Sequence, residues 1–186
     1  AKLHGLGAAP SFEIIVAAGP HGALPHATPR DVEVVPGQLV VIDWGARLDG
    51  YCSDCTRTVL VGGEPSAEQR EIYDLVLLAQ ITGLDAIVAG AAARDVDAAA
   101  RRLIEAAGQG EHFGHSLGHG VGLDIHEAPR LSARSDAVLE SGNVVTDEPG
   151  VYLPDRFGVR IEDLVVVTED GGEVLTGVSK ELIVTG

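Results

Sequence analysis

Basic residues are scarce in this chain: 13 Lys and Arg stand against 28 Asp and Glu, for a formal net charge of -15. Phosphate backbones are gripped by clustered Lys and Arg, so this balance argues against nucleic acid as a partner. Long apolar runs are missing as well. No stretch approaches the roughly 18 uninterrupted apolar residues of a membrane span, and no membrane partner is expected. The opening residues Ala1 to Gly7 lack a charged segment followed by an apolar one, so no secretory signal is read and a cytoplasmic location is the default. Cysteines number only two. Cys52-x-x-Cys55 has the spacing of a redox pair or of half a zinc site. No second pair completes a tetrahedral zinc, and the segment reads as a strand rather than the opening of a helix, which favours two ordinary thiols.

What is present suits a real core: 186 residues with 45% hydrophobic content. Val- and Ile-rich runs predict strands over Phe12 to Ala17 and Leu39 to Trp44, the second entered through Pro36-Gly37. Tyr51 to Val61 reads as the next strand after a hairpin bend at Leu48-Asp49-Gly50. Ser66-Ala-Glu-Gln69 is a capping-box sequence, and Ile72, Leu75, Val76 and Ala79 follow at helical spacing, predicting a helix over about 67–88. A second helix is predicted from near Asp95, with Val96, Ala99, Ala100, Leu103, Ile104 and Ala107 on one face and Gly108 as its stop. Strands are expected again at Val144 to Thr146, Val159 to Thr168, Glu173 to Leu175 and Leu182 to Val184, with Gly171-Gly172 as a hairpin turn. No linker or low-complexity segment interrupts the chain. One α+β domain over residues 1–186 is the economical organisation.

The chemistry lies in acids placed where acids are unusual. Asp43 ends the run Leu-Val-Val-Ile, and Glu162 stands in Arg-Ile-Glu-Asp-Leu-Val-Val-Val. Asp and Glu are rarely buried unless paired or bound to metal. Asp54 and Glu148 sit in the same kind of context. Three of the seven histidines, His115, His119 and His126, fall within twelve residues among glycines that let backbone approach a ligand. Any one of these residues has an ordinary explanation as a solvated strand end or a surface histidine; together they point to a site. Four carboxylates and an imidazole suit two divalent cations sharing an acidified water. Ligation dominated by oxygen favours manganese, with cobalt, iron or zinc as alternatives.

At these residues the sequence resembles the pita-bread metallopeptidases of the aminopeptidase P and prolidase branch. The resemblance runs from Pro10 to the C-terminus through Pro-His26, Ile-Asp43-x-Gly-Ala, Gly-Tyr-x-x-Asp54-x-Thr-Arg-Thr, Gly-His119-Gly-x-Gly-Leu-x-x-His126-Glu, Glu148-Pro-Gly-Val-Tyr152 and Arg160-Ile-Glu162-Asp. It implies a curved antiparallel sheet covered by helices, and hydrolysis of the peptide bond preceding proline by a metal-bridging hydroxide. Asp43 is implied to chelate one metal, Asp54 and Glu162 to bridge the two, and His119 and Glu148 to complete the second. His126 is implied to contact the tetrahedral intermediate, with His26 and His115 lining the substrate pocket, Glu148 shuttling a proton, and Arg160 orienting the acids from behind. Tyr152 is expected in the pocket wall. A homodimer is typical of such relatives.

Two features depart from the pattern. Family catalytic domains usually begin with about two further helices and often follow a separate N-terminal domain, so the fold is expected without its first helices. Asp147 stands where an apolar residue is expected; strand alternation turns it away from the metals. Arg130, four residues after His126, matches a prolidase arginine that binds a dipeptide carboxylate, and is equally a surface arginine. Dipeptide hydrolysis therefore leads narrowly over release of an N-terminal residue. The rivals are a pita-bread scaffold without catalysis, or a sister activity such as a methionine aminopeptidase; creatinase-like enzymes lack the metal set.

Overall fold

The computed structural model describes residues 2–186. A one-turn helix α1 (Lys2–Gly5) leads into β1 (Ala9–Pro10) and β2 (Ile15–Ala18), followed by a 3-10 turn at Gly19–Ala23. Then come β3 (Gln38–Trp44), β4 (Ala46–Leu48), β5 (Tyr51–Cys52) and β6 (Cys55–Val61). Two long helices follow, α2 (Ala67–Ala86) and α3 (Ala93–Ala106). The second half is β7 (Gly118–Gly120), β8 (Glu127–Leu131), β9 (Val144–Asp147), β10 (Gly150–Leu153), β11 (Phe157–Arg160), β12 (Asp163–Thr168), β13 (Gly171–Val174) and β14 (Val184–Thr185).

Two sheets carry the architecture. One runs β14-β6-β3-β2 and the other β13-β12-β9-β7-β8; pairing is antiparallel except between β14 and β6. A two-stranded ribbon β10-β11 and a small sheet β1-β4-β5 complete the strands among the described residues. Helices α2 and α3 pack on the sheets through Ile72, Tyr73, Val76, Val96, Ala100 and Ile104, against Leu39, Leu60, Val145 and Val165. The helix α2 starts as its sequence dictates. Gln69 N–H donates to Ser66 Oγ at 3.1 Å and Ser66 N–H donates to Gln69 Oε1 at 2.8 Å, so the reciprocal cap is formed.

Several boundaries differ from the sequence expectation, and the differences shape the site. The strand expected over Phe12 to Ala17 begins only at Ile15, because Ser11 is drawn off to Gly45 O and Ser53 O. The strand expected over Tyr51 to Val61 is interrupted at Ser53-Asp54, where Ser53 N–H donates to Ala46 O at 2.8 Å. The strand expected over Val159 to Thr168 is interrupted at Ile161-Glu162, where Ile161 turns to Pro149 O and Glu162 to Thr56 O. The bend at Asp49-Gly50 is as expected, with φ of 50° and 92°, the left-handed pair of a tight hairpin. The expected turn at Gly171-Gly172 lies two residues earlier, at Glu169-Asp170: Thr168 pairs with Gly171, and both glycines belong to β13. The second helix opens at Ala93 rather than near Asp95, and its buried face includes Asp97.

Asp97 explains how α3 reaches the site. Its carboxylate receives a bidentate pair from Arg101 at 2.8 Å for each oxygen, and Leu117 N–H at 3.0 Å. Arg101 also donates to Phe113 O at 3.0 Å and His115 O at 2.7 Å, and lies 4.2 Å over the Phe113 ring. A bidentate arginine holds direction as well as distance. It fixes the glycine-rich segment that delivers His115 and His119.

Candidate metal centre

Three of the five expected ligands occupy positions where a strand is interrupted. Asp54 follows β5 and precedes β6, Glu148 lies between β9 and β10, and Glu162 lies between β11 and β12. A residue outside the ladder is free to turn its side chain out of the alternating pattern. Asp43 and His119 lie within β3 and β7. Together the five line one cavity of about 320 Å³, with His26, His115, His126, Arg130 and Arg160 also in its wall. Ligand-capable atoms of Asp54, His119 and Glu162 all lie within 4.8 Å of one another. His119 Nε2 is 3.7 Å from Asp54 Oδ2 and 3.3 Å from Glu148 Oε1.

The histidine is prepared for a metal. Its Nδ1 lies 3.0 Å from Gly120 O, and a carbonyl can only accept, so Nδ1 carries a proton and Nε2, which faces the cavity, is the nitrogen that would ligate a metal once deprotonated. Two threonines orient the acids. Thr56 Oγ donates to Glu162 Oε2 at 2.6 Å, and Thr146 Oγ donates to Glu148 Oε1 at 3.1 Å. Arg160 reaches Asp43 Oδ2 at 2.6 Å, Thr56 Oγ at 3.0 Å and Tyr152 OH at 2.8 Å. Thr56 and Thr146 escaped the sequence reading. Their signal was present: each stands two residues from a ligand, and in strands that spacing shares a face.

The electrostatics are those of a site short of positive charge. Burial, then the charges of Asp43 and Glu148, pushes the Asp54 carboxyl up to about 8. Burial likewise raises Asp43, against the pull of Arg160, and raises Glu162 well above the usual carboxylate range, with Asp54 and Glu148 adding to the effect. Burial alone would raise Glu148 and lower His119. Their mutual hydrogen bond and attraction reverse both, so the Glu148 carboxyl is held low and the His119 imidazole high. Asp43 Oδ1 and Asp54 Oδ1 are buried without any hydrogen-bond partner. Buried carboxylate oxygens without partners are costly, and a divalent cation is the group that relieves the cost. The donor set fits such ions.

The remaining site residues fall into two groups. His26 and Arg130 are exposed in the cavity wall, Arg130 Nε 3.4 Å from Ser116 Oγ. The His126 ring lies edge-on to His119, with centroids 4.4 Å apart, and burial beside His119 lowers its imidazole. His115 lines the cavity too, but both ring nitrogens are engaged: Nδ1 with Ser116 O at 2.8 Å and Nε2 with Tyr152 OH at 2.9 Å. Burial lowers its pKa, so it is neutral and accepts the tyrosine proton. Tyr152, expected in the pocket wall, instead stands one layer back. It is only 6% exposed, held between Arg160 and His115, and absent from the cavity lining. Phe12 and Glu13, not singled out from sequence, do line it.

Neither cysteine forms a site. Both are buried and free, and burial pushes the Cys55 thiol up to about 12. Their hydrogens face Leu123 O at 3.7 Å and Glu162 O at 3.9 Å. A thiol so poorly ionised is no nucleophile. Asp147 points away from the cavity, as strand alternation predicts. It is fully buried beneath α2, and burial together with Asp163 raises its carboxyl well above the usual range.

With this geometry in view, comparison with known proteins is direct. The family model for metallopeptidase family M24 matches residues 1–169. This chain belongs to metallopeptidase family M24. Among M24 relatives, the Xaa-Pro dipeptidase of Pyrococcus furiosus is 49% identical over 174 residues, which are 94% of this chain and 50% of that protein. A solved Xaa-Pro dipeptidase from Bacillus anthracis superposes with a TM-score of 0.93 at 52% identity, covering 95% of this chain and 50% of that one. The solved X-Pro aminopeptidase of Thermotoga maritima gives 0.92 at 45% identity, covering 95% and 50%. The M24 chain thus spans about half the length of the relatives it matches. Its architecture is the pita-bread fold expected from the sequence. Among the described residues no helix is long and apolar enough to cross a membrane.

Proposed function

We propose that residues 1–186 form a metallopeptidase domain that hydrolyses the bond preceding proline, with two divalent cations held by Asp43, Asp54, His119, Glu148 and Glu162. Manganese is the first candidate on ligand chemistry, ahead of cobalt, iron and zinc. The observation that carries this reading is the convergence of four carboxylates and one imidazole Nε2 on a single cavity, with two carboxylate oxygens buried and unpartnered. Similarity to enzymes named Xaa-Pro dipeptidase and X-Pro aminopeptidase supports the substrate class. Ions held by these five residues would acidify a water toward hydroxide near neutral pH and polarise the scissile carbonyl.

The chain's own groups do the rest. Glu148, hydrogen-bonded by Thr146 and kept ionised beside His119, takes a proton from the attacking water at its carboxylate and passes it to the departing proline nitrogen. His126, at the exposed side of His119, donates to the oxyanion that develops on the carbonyl of the preceding residue. Proline has no N–H in that bond, so recognition rests on the ring and on the chain ends. His26 and His115 line the substrate cavity. Tyr152 acts from behind, keeping Arg160 on Asp43 and His115 in its neutral form.

Arg130 favours the dipeptidase reading over the aminopeptidase one, because its guanidinium stands exposed in the cavity wall, suited to a terminal carboxylate. Assay of the manganese-loaded protein on Xaa-Pro dipeptides, Xaa-Pro-Yaa peptides and methionyl peptides tests the proposal. Cleavage of the first class is expected to dominate. Arg130→Met is then expected to raise KM for the dipeptide about 10–100-fold, the worth of a hydrogen bond to a charged group, with kcat little changed. Dominant cleavage of methionyl peptides would reject the substrate class. An Arg130→Met protein with parental dipeptide KM would return the arginine to the surface.

A further inference from the structure

The last ladder pair between β9 and β12 is Asp147 opposite Asp163. Immediately beyond it the chain leaves β9 as Glu148, and immediately before it the chain enters β12 from Glu162. Both proposed ligands therefore hang from this pair, since neither belongs to the ladder itself. Two acids directly opposite in an antiparallel pair do not hold their strands together by themselves. Here a side chain from α2 joins them. Gln80, fully buried, donates through Nε2 to Asp147 Oδ2 at 3.2 Å and to Asp163 Oδ2 at 3.1 Å.

The two acids are not equally supported. Asp163 also receives Arg57 Nη2 at 2.7 Å and Lys180 Nζ at 2.9 Å. Arg57 in turn donates to the carbonyls of Thr56 and Glu162, so the Glu162 side of the pair is braced twice. On the Asp147 side, Gln80 is the side chain that donates, and Asp147 Oδ1 has no partner. The helix makes room for it: a Cβ placed on Gly83 would stand 2.5 Å from Asp147 Oδ1. Glycine in mid-helix is less favourable than alanine. Its presence in this turn matches the presence of an acid, rather than an apolar side chain, at residue 147.

We infer that Gln80 is a positioning residue for the metal centre: by tying Asp147 to Asp163 it sets where Glu148 and Glu162 leave their strands. Consecutive Cα atoms are about 3.8 Å apart, so movement of Asp147 is carried directly into Glu148. Asp147 is then part of the clamp, and Gly83 the clearance that the clamp requires. This inference rests on the proposed metal site, and its test separates the two.

The test is calorimetric titration of the metal-free protein with Mn2+ at 25 °C, alongside thermal melts, for the parent, Gln80→Leu, Gln80→Leu/Asp147→Asn and Gly83→Ala. The parent is expected to take two ions. Gln80→Leu is expected to bind at least one of them about 10–100-fold more weakly, the range for losing a support of a ligand, while still folded at the titration temperature. Adding Asp147→Asn supplies a side-chain amide that can donate to Asp163 in place of Gln80, and is expected to bring affinity back toward the parent. Gly83→Ala improves the helix yet displaces the Asp147 carboxylate, so it is expected to weaken binding without lowering the melting temperature; it also serves if Gln80→Leu fails to fold. Parental affinity in Gln80→Leu, or in Gly83→Ala, overturns the positioning role and leaves the metal centre standing. Failure of the parent to bind Mn2+ overturns both.

Discussion

Glu162→Gln is expected to lose peptidase turnover by at least about a thousandfold while the metal-free variant melts above the metal-free parent. The two effects have one cause. Glu162 is 1% exposed, and burial among Asp54, Glu148 and Asp43 disfavours its charge. Without metal, that charge is a burden on the folded state, and an amide of the same shape is not. Gln at this position still accepts the Thr56 hydroxyl through its carbonyl oxygen, so the local packing survives. With metal the balance reverses. Four carboxylates match the charge of two divalent ions, and removing one leaves the centre a charge short at a position proposed to hold both. Acidifying water from a pKa of 15.7 to about 7 is the step at stake, and a thousandfold is about 4 kcal/mol. Turnover and melting temperature of the same preparations check it. A variant that keeps parental turnover, or one that melts lower without metal, contradicts the assignment.

Metal-free protein is expected to become less stable as pH rises from about 5 to 8. The Asp54 carboxyl titrates near 8 when folded, against an ordinary 3.8 when unfolded. Between those values the folded chain holds a proton that the unfolded chain has released, so stability falls with rising pH. The raised Asp43 and Glu162 act in the same sense. The raised His119 does too: its contribution is complete below the ordinary histidine range and is lost as pH climbs through the folded value. Glu148, held low, acts oppositely but only near and below 4.5, and the lowered His115 and His126 oppose only up to their ordinary 6.5, against three raised carboxyls and His119. Metal displaces the bound protons, so affinity for manganese should tighten over the same interval and the loss of stability should disappear once ions are present. Melts of chelator-treated protein at several pH values measure this, with Asp54→Asn as the control in which the slope flattens. A melting temperature that rises from pH 5 to 8 in the chelated parent would contradict the account.

Much of this site was legible because buried strands leave few explanations for an acid. Asp43 after Leu-Val-Val-Ile and Glu162 before Leu-Val-Val-Val stood out against their neighbours, and all five expected ligands line one cavity. The long helix from Ala67 was equally plain, since its cap, period and length agree. What could not be read was where the strands break. A period-2 pattern runs on through Ser53-Asp54 and Ile161-Glu162, whereas the hydrogen bonds change partner there; that change is a property of the neighbouring strand and leaves no mark in the local sequence. Strands β7 and β8 were missed for a related reason: Gly118-His-Gly120 and the Pro129 segment carry little strand propensity and are held by pairing and close backbone approach. Gln80, Arg57 and Thr56 belong to contacts between segments about 70–110 residues apart, which pattern alone does not bring together. Asp147 was noticed as out of place, and only the packing of α2 showed the glutamine and the glycine that accommodate it.

The most direct measurement is anomalous diffraction from crystals of the protein loaded with Mn2+. Two peaks inside the ring of Asp43, Asp54, His119, Glu148 and Glu162 are predicted, with both Asp54 and Glu162 in contact with each ion. A single peak, or none among these five side chains, would contradict the dinuclear centre on which the proposed chemistry depends.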